Sequence, residues 1–238
     1  SADVFRWFLT SRARAGIPSW FEIPGERDVR DAANFKKLIR PESRYAARAG
    51  NLLFLFLGEE FSGSPRRVST DAFQWWGDML DRNPGSIIVT VTHAQVAGCG
   101  LFGSDVSDNT IENSERIAEK LRKRHVDIWL SGNMHIPGFF NGKWKVNREM
   151  GGTLFVNAGS IIREFPGGVE SSVLLFKKGE PYCLVRSRNH ESRRWEKKGE
   201  VIHRLSRPFE WDGSPPVIVT APIRGSRTCL SRMSEISI

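Results

Sequence analysis

The sequence predicts an α/β fold arranged as one layered domain. Three observations lead to this prediction. Amphipathic helical segments alternate with short apolar strands in the first half of the 238 residues, the second half is rich in strand patterns, and no shift in composition separates the halves. With 39% hydrophobic and 26% charged residues, the chain is of globular composition, which excludes a disordered, collagen-like or low-complexity protein.

The first elements are expected to lie outside the main sheet. A helix is predicted over residues 2–14, where apolar side chains recur on one face before Gly16 and Pro18 end the pattern. A short strand is predicted at 19–23, and a polar helix at about 29–39.

The centre of the sheet is predicted from two strongly apolar segments. Residues 52–57 are all Leu or Phe, and residues 87–92 are all β-branched, which is typical of a buried central strand. Ser69 or Thr70 can cap the helix between them, and Asn83 with the Pro-Gly pair after it ends that helix.

The remaining elements complete the α/β pattern and then turn to strands. A helix is predicted at about 110–124, a strand at 126–130, and a hairpin over 139–146 around Asn141 and Gly142. Further strands are predicted at 152–156, 171–176, 181–188 and 200–205. We therefore expect one domain over residues 1–206 and a loosely held tail over 207–238, with a single apolar segment at 217–220.

Charge and cysteine content limit the class of function. There are 35 basic and 27 acidic residues, a net charge of +8, which favours anionic partners such as phosphate substrates or nucleic acid. A merely soluble cationic surface is an equally good explanation. No apolar run approaches the roughly 20 residues that a membrane span needs, so no membrane partner is expected. The odd count of three Cys favours neither a disulfide framework nor a zinc ribbon, and it points to a reducing compartment such as the cytoplasm.

Polar side chains follow four predicted strands directly. Glu26 follows the first, His93 the second, Asn133 and His135 the third, and residues 157–160 the fourth. Ligand sites of open α/β sheets lie at such strand ends. A lone histidine there is more often structural, but four such endings in this order indicate a functional site.

In that order the residues resemble the calcineurin-like metallophosphoesterase family. The resemblance covers roughly residues 1–178, and the stretches that carry it are 17–25, 71–76, 86–93, 127–132 and 154–160. It implies a layered α-β-β-α sandwich and the hydrolysis of a phosphate mono- or diester by a metal-bound water.

The resemblance also implies a metal site. Glu26 stands where the family has a metal-binding Asn, and Asn133 stands where it has one of two histidines, while His93 and His135 are retained. Such a set is suited to one divalent ion, which would be Mn, Fe or Zn. The alternative is that the chain binds no ion.

Arg27 takes the position of the family histidine that acts as general acid near the leaving group. A guanidinium can hold a phosphate oxygen, but it cannot donate a proton at neutral pH. The resemblance therefore implies that Arg27 contacts phosphate. A surface ion pair between Arg27 and Asp28 is the alternative.

Two motifs of the family are missing. The chain has no Asp-x-His, and the stretch Gly77 to Asp81, which fits the family's Gly-Asp-x-x-Asp by letter, falls in a predicted helix and reads as solvated carboxylates. The first two strands of the family fold are thus expected to be missing, which leaves an open edge beside strand 87–91. Either a second copy covers that edge or the sequence is a piece of a longer protein, and we expect the second.

Two functions follow from this pattern. The first is a metal-dependent phosphoesterase whose site is incomplete in this chain. The second is a non-catalytic binding or scaffold protein on the same fold, contacting nucleic acid or a partner subunit. Basic residues around Trp195 fit a single-stranded nucleic-acid surface, although a solvated hairpin face explains them as well.

Overall fold

The computed structural model describes residues 1–64, 66–162 and 168–219. The helices are α1 (Ala2–Arg14), α2 (Glu26–Val29), α3 (Ala32–Leu38), α4 (Thr70–Arg82) and α5 (Ser114–Lys123). The strands are β1 (Arg44–Ala49), β2 (Leu52–Leu57), β3 (Ile87–Thr92), β4 (Ile128–Ser131), β5 (Trp144–Asn147), β6 (Thr153–Asn157), β7 (Glu170–Phe176), β8 (Tyr182–Asn189), β9 (Arg194–Arg204) and β10 (Val217–Val219).

The strands form two sheets that pack face to face. Seven strands lie in the order β10-β1-β2-β3-β4-β6-β5, and β7-β8-β9 form a three-stranded sheet. Strands β2, β3, β4 and β6 are parallel neighbours, whereas β1, β5 and β10 pair antiparallel. This arrangement places the carboxyl ends of the four parallel strands at one edge.

The core has a helical layer on one face of the large sheet and the small sheet on the other. Trp76 of α4 and Leu121 of α5 pack with Trp129 of the large sheet. On the opposite face, Val89 packs in one cluster with Val185 of the small sheet. The layered α/β class that the sequence predicts is therefore confirmed.

Near the amino terminus, one predicted element is not found and one is found with shorter bounds. Residues 19–23 form no strand; Phe21 and Ile23 instead pack beside Tyr45 and Phe56. The helix predicted at about 29–39 is found as α3 (Ala32–Leu38), and the short helix α2 precedes it. Strand β1 was not predicted, because Arg44–Ala49 has no β-branched residue, and it is defined by its antiparallel pairing with β2.

Further along the chain, the predicted hairpin around Asn141 and Gly142 is also wrong. Strand β5 begins at Trp144 and pairs with β6, the strand that follows it in the chain. Gly142 lies in a turn with φ +89°, where its carbonyl accepts from the Phe102 N–H at 2.9 Å. The predicted helix at 110–124 begins four residues later, at Ser114.

The expected open edge beside strand 87–91 does not exist in the described residues. Strand β3 is paired on both sides, by β2 and by β4. The β1–β2 hairpin and β10 extend the sheet beyond that point. The Gly77–Asp81 stretch lies on α4 as expected, and Asp81 pairs with Lys120 at 3.2 Å.

The first part of the predicted tail is not loosely held. Phe209 is buried in the core between the sheets, and β10 pairs with β1. Residues 220–238 lie outside the described residues, and the domain boundary at residue 206 stays a prediction. Within the described ranges, no helix combines the length and apolar character needed to cross a bilayer.

Candidate functional site

The candidate site lies at the carboxyl edge of the parallel strands. Glu59 follows β2, His93 follows β3, and Asn133 and His135 follow β4. Because the four parallel strands run in one direction, their ends meet at the same edge. Residues that are far apart in the sequence are thereby brought together.

The turn after β3 fixes the backbone of His93. The Thr92 hydroxyl accepts a hydrogen bond from Trp129 Nε1 at 2.9 Å and donates to the Ala94 carbonyl at 2.7 Å. The His93 carbonyl accepts from the Gly132 N–H at 2.9 Å. The ends of β3 and β4 are therefore tied together directly at His93.

The segment that carries Glu26 packs against the His93 ring. A Cβ built on Gly25 would lie 2.8 Å from His93 Cε1, so glycine allows this close approach. The Pro24 carbonyl accepts from the Glu59 N–H at 2.9 Å, which attaches the segment to the end of β2. Glu26 then begins α2 as the neighbour of Gly25.

The loop after β4 carries two residues in the left-handed region. Asn133 has φ +59° and His135 has φ +50°, a conformation that non-glycine residues adopt only when their surroundings impose it. Asn157 supplies part of that constraint. Its side chain accepts from the Ile136 N–H at 2.9 Å and donates to the Gly132 carbonyl at 2.6 Å.

The electrostatics at this edge favour a neutral His93. Burial lowers the pKa of His93, Glu26 and Asp28 oppose that shift, and His135 lowers the pKa further. His93 Nε2 is buried and has no hydrogen-bond partner among the described residues. A neutral imidazole with an unused ring nitrogen is the form that binds transition metals.

Glu26, His93 and His135 are thus close enough for their charges to interact, and Asn133 adjoins Gly132, which bonds to His93. Glu26 also lies 3.7 Å from Arg30 across an ion pair. The predicted set is Glu26, His93, Asn133 and His135. Its role in metal binding stays a prediction.

Arg27 is exposed on α2, beside Glu26. Among the described residues it makes no ion pair with Asp28, whose carboxylate accepts from the Gly25 N–H at 2.8 Å. The alternative of an Arg27–Asp28 pair is therefore not found, and phosphate contact by Arg27 stays a prediction.

The preassembled metal cluster of a two-metal enzyme is not found. In the described part of the chain, no group of three or more His, Cys, Asp or Glu side chains is placed to hold a metal ion. The donor types at the His93 edge are suitable for one ion, but their side chains are not gathered around a common point.

Sequence reasoning missed Glu59. Its side chain is buried, and its carboxylate accepts from the Arg66 N–H at 2.5 Å. Burial raises the pKa of Glu59, the Arg66 contacts oppose that shift, and the charge of Glu26 adds to it. The signal was available, because Glu59 follows strand 52–57 in the same way that His93 follows strand 87–92.

The comparisons with known proteins found similarities among solved structures. No family model matches the chain, and no curated protein matches it. Among solved structures, it is similar to the purple acid phosphatase PPD1 from yellow lupin (Lupinus luteus) seeds, with a TM-score of 0.40 and 15% identity. The match covers 73% of this chain and 33% of that chain, so the chain spans about a third of that structure's length.

Proposed function

We propose that this chain is a phosphoesterase-type protein that hydrolyses a phosphate mono- or diester at the edge carrying His93. One observation carries the proposal: a neutral, half-buried imidazole, whose Nε2 is buried and unpaired among the described residues, lies against Gly25 and within the electrostatic reach of Glu26 and His135. Imidazole and carboxylate together are the donors that zinc, iron and manganese prefer.

One divalent ion would be held by Glu26, His93, Asn133 and His135, whose side chains would have to close around it, since they form no preassembled group in the described residues. Such an ion, when bound, lowers the pKa of a coordinated water and polarises the phosphate. The chain's own part is to keep His93 deprotonated through burial, so that it binds the ion without first losing a proton. Arg27, exposed at the same edge, offers a guanidinium to a phosphate oxygen.

Manganese binding and turnover test the proposal together. Metal-free protein is given Mn²⁺ and a generic phosphodiester, and bound metal and hydrolysis are both measured. We expect Mn²⁺-dependent hydrolysis that His93→Ala and Glu26→Ala each reduce at least about tenfold. His190→Ala serves as the matched control, since His190 is exposed and bonds to Ser171 in the small sheet. Protein that binds no Mn²⁺ and hydrolyses nothing overturns the proposal.

A non-catalytic binding or scaffold protein is the second candidate. It is favoured by the absence of a preassembled group of three metal ligands in the described residues. The nucleic-acid form of this candidate depends on β8 and β9, where the Arg186 guanidinium lies 4.2 Å and that of Arg188 5.4 Å from the centre of the Trp195 ring. Because these guanidinium groups already stack on the Trp195 ring, a base would have to displace them in order to stack there.

The second candidate predicts salt-sensitive binding of a single-stranded oligonucleotide without turnover. Fluorescence anisotropy over a salt series measures that binding, and Trp195→Ala should weaken it. Hydrolysis that depends on Mn²⁺ and on His93 contradicts it. The other form of this candidate is a scaffold that binds a partner subunit, which includes a second copy of the chain. Sedimentation of the purified protein measures whether two copies associate.

The proposal includes a reducing compartment such as the cytoplasm. Cys99 and Cys183 are both free and buried. Burial raises the pKa of Cys99 to about 11 and that of Cys183 to about 12, so neither thiol is a reactive thiolate at neutral pH.

A further inference from the structure

A buried ion pair forms hydrogen bonds with the backbone of the loop after β4. Lys143 and Glu170 have side chains that are 1% and 0% exposed, and Lys143 Nζ lies 3.4 Å from Glu170 Oε2. Lys143 Nζ donates to the Ile136 carbonyl at 2.8 Å, and Glu170 Oε2 accepts from the Gly138 N–H at 2.5 Å. Each member of the pair thus bonds to a different backbone group of the same loop.

The same pair also contacts the loop after β6. A Cβ on Gly159 would lie 2.9 Å from Lys143 Nζ, so the ammonium group is enclosed by that turn. The Glu170 N–H donates to the Ser160 carbonyl at 2.6 Å, and the Lys143 carbonyl accepts from the Asn157 N–H at 2.9 Å. The pair therefore joins two loops of the large sheet to β7 of the small sheet.

Burying two charges is costly, so the pair needs an explanation other than stability. Burial lowers the pKa of Lys143, and the charge and hydrogen bond of Glu170 oppose that shift. A buried ion pair is often no more stabilising than apolar side chains of similar size. Apolar side chains, however, could not form hydrogen bonds with the Ile136 carbonyl and the Gly138 N–H.

Those two bonds hold the loop directly after its candidate site residues. Asn133 and His135, both in the left-handed region, lie just before Ile136 in the sequence. Strained backbone of this kind persists only where the surroundings over-determine it. Together with Asn157, the buried pair provides four side-chain bonds to a loop of seven residues, 132–138.

We propose that Lys143 and Glu170 are positioning residues of the candidate site. They fix the backbone that carries Asn133 and His135 relative to His93. The inference rests on the proposed function for its consequence, since the loop matters only if its side chains bind an ion. Neither residue touches the reacting groups.

The test compares the wild-type chain with the double variant Lys143→Met/Glu170→Met, which removes both charges and leaves no lone buried charge. The first readout is amide hydrogen exchange in the loop. The Gly138 N–H loses its Glu170 acceptor, and the Ile136 N–H, which bonds to Asn157, reports whether the loop backbone moves. Exchange at both should become about tenfold faster. The second is the broadening of His93 ring resonances by Mn²⁺ alone, which should be lost at concentrations that broaden the wild type. Circular dichroism and the melting temperature show whether the double variant keeps its fold.

The matched control is Glu119→Gln/Lys123→Gln, which removes an exposed ion pair of 2.7 Å on α5. It should change neither readout. A folded double variant with wild-type exchange and a wild-type Mn²⁺ response overturns the inference. If the wild type shows no Mn²⁺ response, the proposed function fails, and the exchange data alone still decide whether the pair positions the loop.

If the double variant does not fold, Glu170→Gln takes its place. This variant keeps an oxygen for the Gly138 N–H but removes the charge opposite Lys143. Faster exchange at Gly138 together with a weaker Mn²⁺ response supports the inference. Unchanged values of both overturn it.

Discussion

The His93 ring lies directly against Gly25: a Cβ at position 25 would come within 2.8 Å of Cε1 and 2.9 Å of Nδ1. The contact joins a segment near the amino terminus to the end of the central strand β3. On the side of Gly25, the contact is made by a segment outside helices and strands, because residues 15–25 have no regular structure. The closeness of Glu26 to His93 therefore depends on one residue having no side chain.

The first prediction follows from this contact. In Gly25→Ala the new methyl group must displace the His93 ring, at a cost of about 1–2 kcal/mol in the free energy of unfolding. We expect changed chemical shifts for the His93 ring and a weaker response to Mn²⁺. Gly85→Ala is the control, since the nearest atom to its Cβ is Arg207 Nη1 at 3.7 Å. Unchanged His93 shifts in Gly25→Ala contradict the prediction.

The second prediction concerns the pH dependence of stability at the opposite edge of the sheet. The hydrogen bond to Asp127 raises the pKa of His125, while burial opposes that shift. A folded pKa above the unfolded value means that the contribution of His125 is fully present below the unfolded pKa of about 6.5. It is lost as pH rises through the raised pKa.

Urea unfolding from pH 5.5 to 8.5 measures this contribution as the difference between wild type and His125→Gln. We expect the difference to be largest at the acidic end and to fall as pH rises. His203 is the internal comparison, because burial lowers its pKa, although Asp127 opposes that shift. The contribution of His203 to stability must therefore have the opposite pH dependence, so that it falls as pH drops. A His125 difference that is constant with pH contradicts the assignment.

The third prediction is that Asp127→Asn destabilises the protein by about 3 kcal/mol. The Asp127 side chain is fully buried, and it accepts from the Ile88 N–H at 2.9 Å and the Ser206 N–H at 2.5 Å. Burial acts to raise the pKa of Asp127, but its hydrogen bonds from His125, Ile88 and Ser206 outweigh burial and lower it. An amide NH₂ in its place would face N–H donors.

Chemical denaturation at pH 7 measures the loss. The control is Asp81→Asn, whose carboxylate is 41% exposed where it pairs with Lys120 and Arg124. An exposed pair of this kind contributes about 0–1 kcal/mol. If the two substitutions lower the free energy of unfolding equally, the prediction for Asp127 is wrong.

The fourth prediction is a stabilising substitution. Gly77 lies inside α4, and the nearest atom to an added Cβ is Lys120 Nζ at 3.5 Å, an ordinary contact. Gly77→Ala should therefore stabilise the protein by about 0.5–1 kcal/mol, because alanine restricts the unfolded chain and favours the helix. Thermal unfolding measures it, and a lower melting temperature contradicts it.

Local patterns in the sequence predicted the elements that have a strong pattern of their own. Strands β2 and β3 are found at the predicted residues, 52–57 and 87–92, since their apolar or β-branched side chains pack against a layer on each face of the sheet. Helix α4 begins after the predicted cap, with the Ser69 hydroxyl accepting from the Ala72 N–H at 3.1 Å. In these elements, local preference and tertiary packing agree.

The pattern failed where pairing decides the structure. Strand β1 has the composition of a helix, yet it is a strand because β2 and β10 lie on its two sides. Residues 19–23 have the composition of a strand, but no strand of the sheet pairs with them. Hydrogen-bond partners distant in sequence leave no local signal, so such segments are the least predictable.

The sequence by itself determined the α/β class, the strands whose ends carry the candidate residues, and the donor types at those ends. Only the tertiary structure placed Gly25 against His93, revealed Glu59 at the same edge, and put Lys143 and Glu170 behind the Asn133–His135 loop. The physical reason is that each strand end follows from local chain preference, whereas the contacts between strand ends depend on sheet order and on close packing.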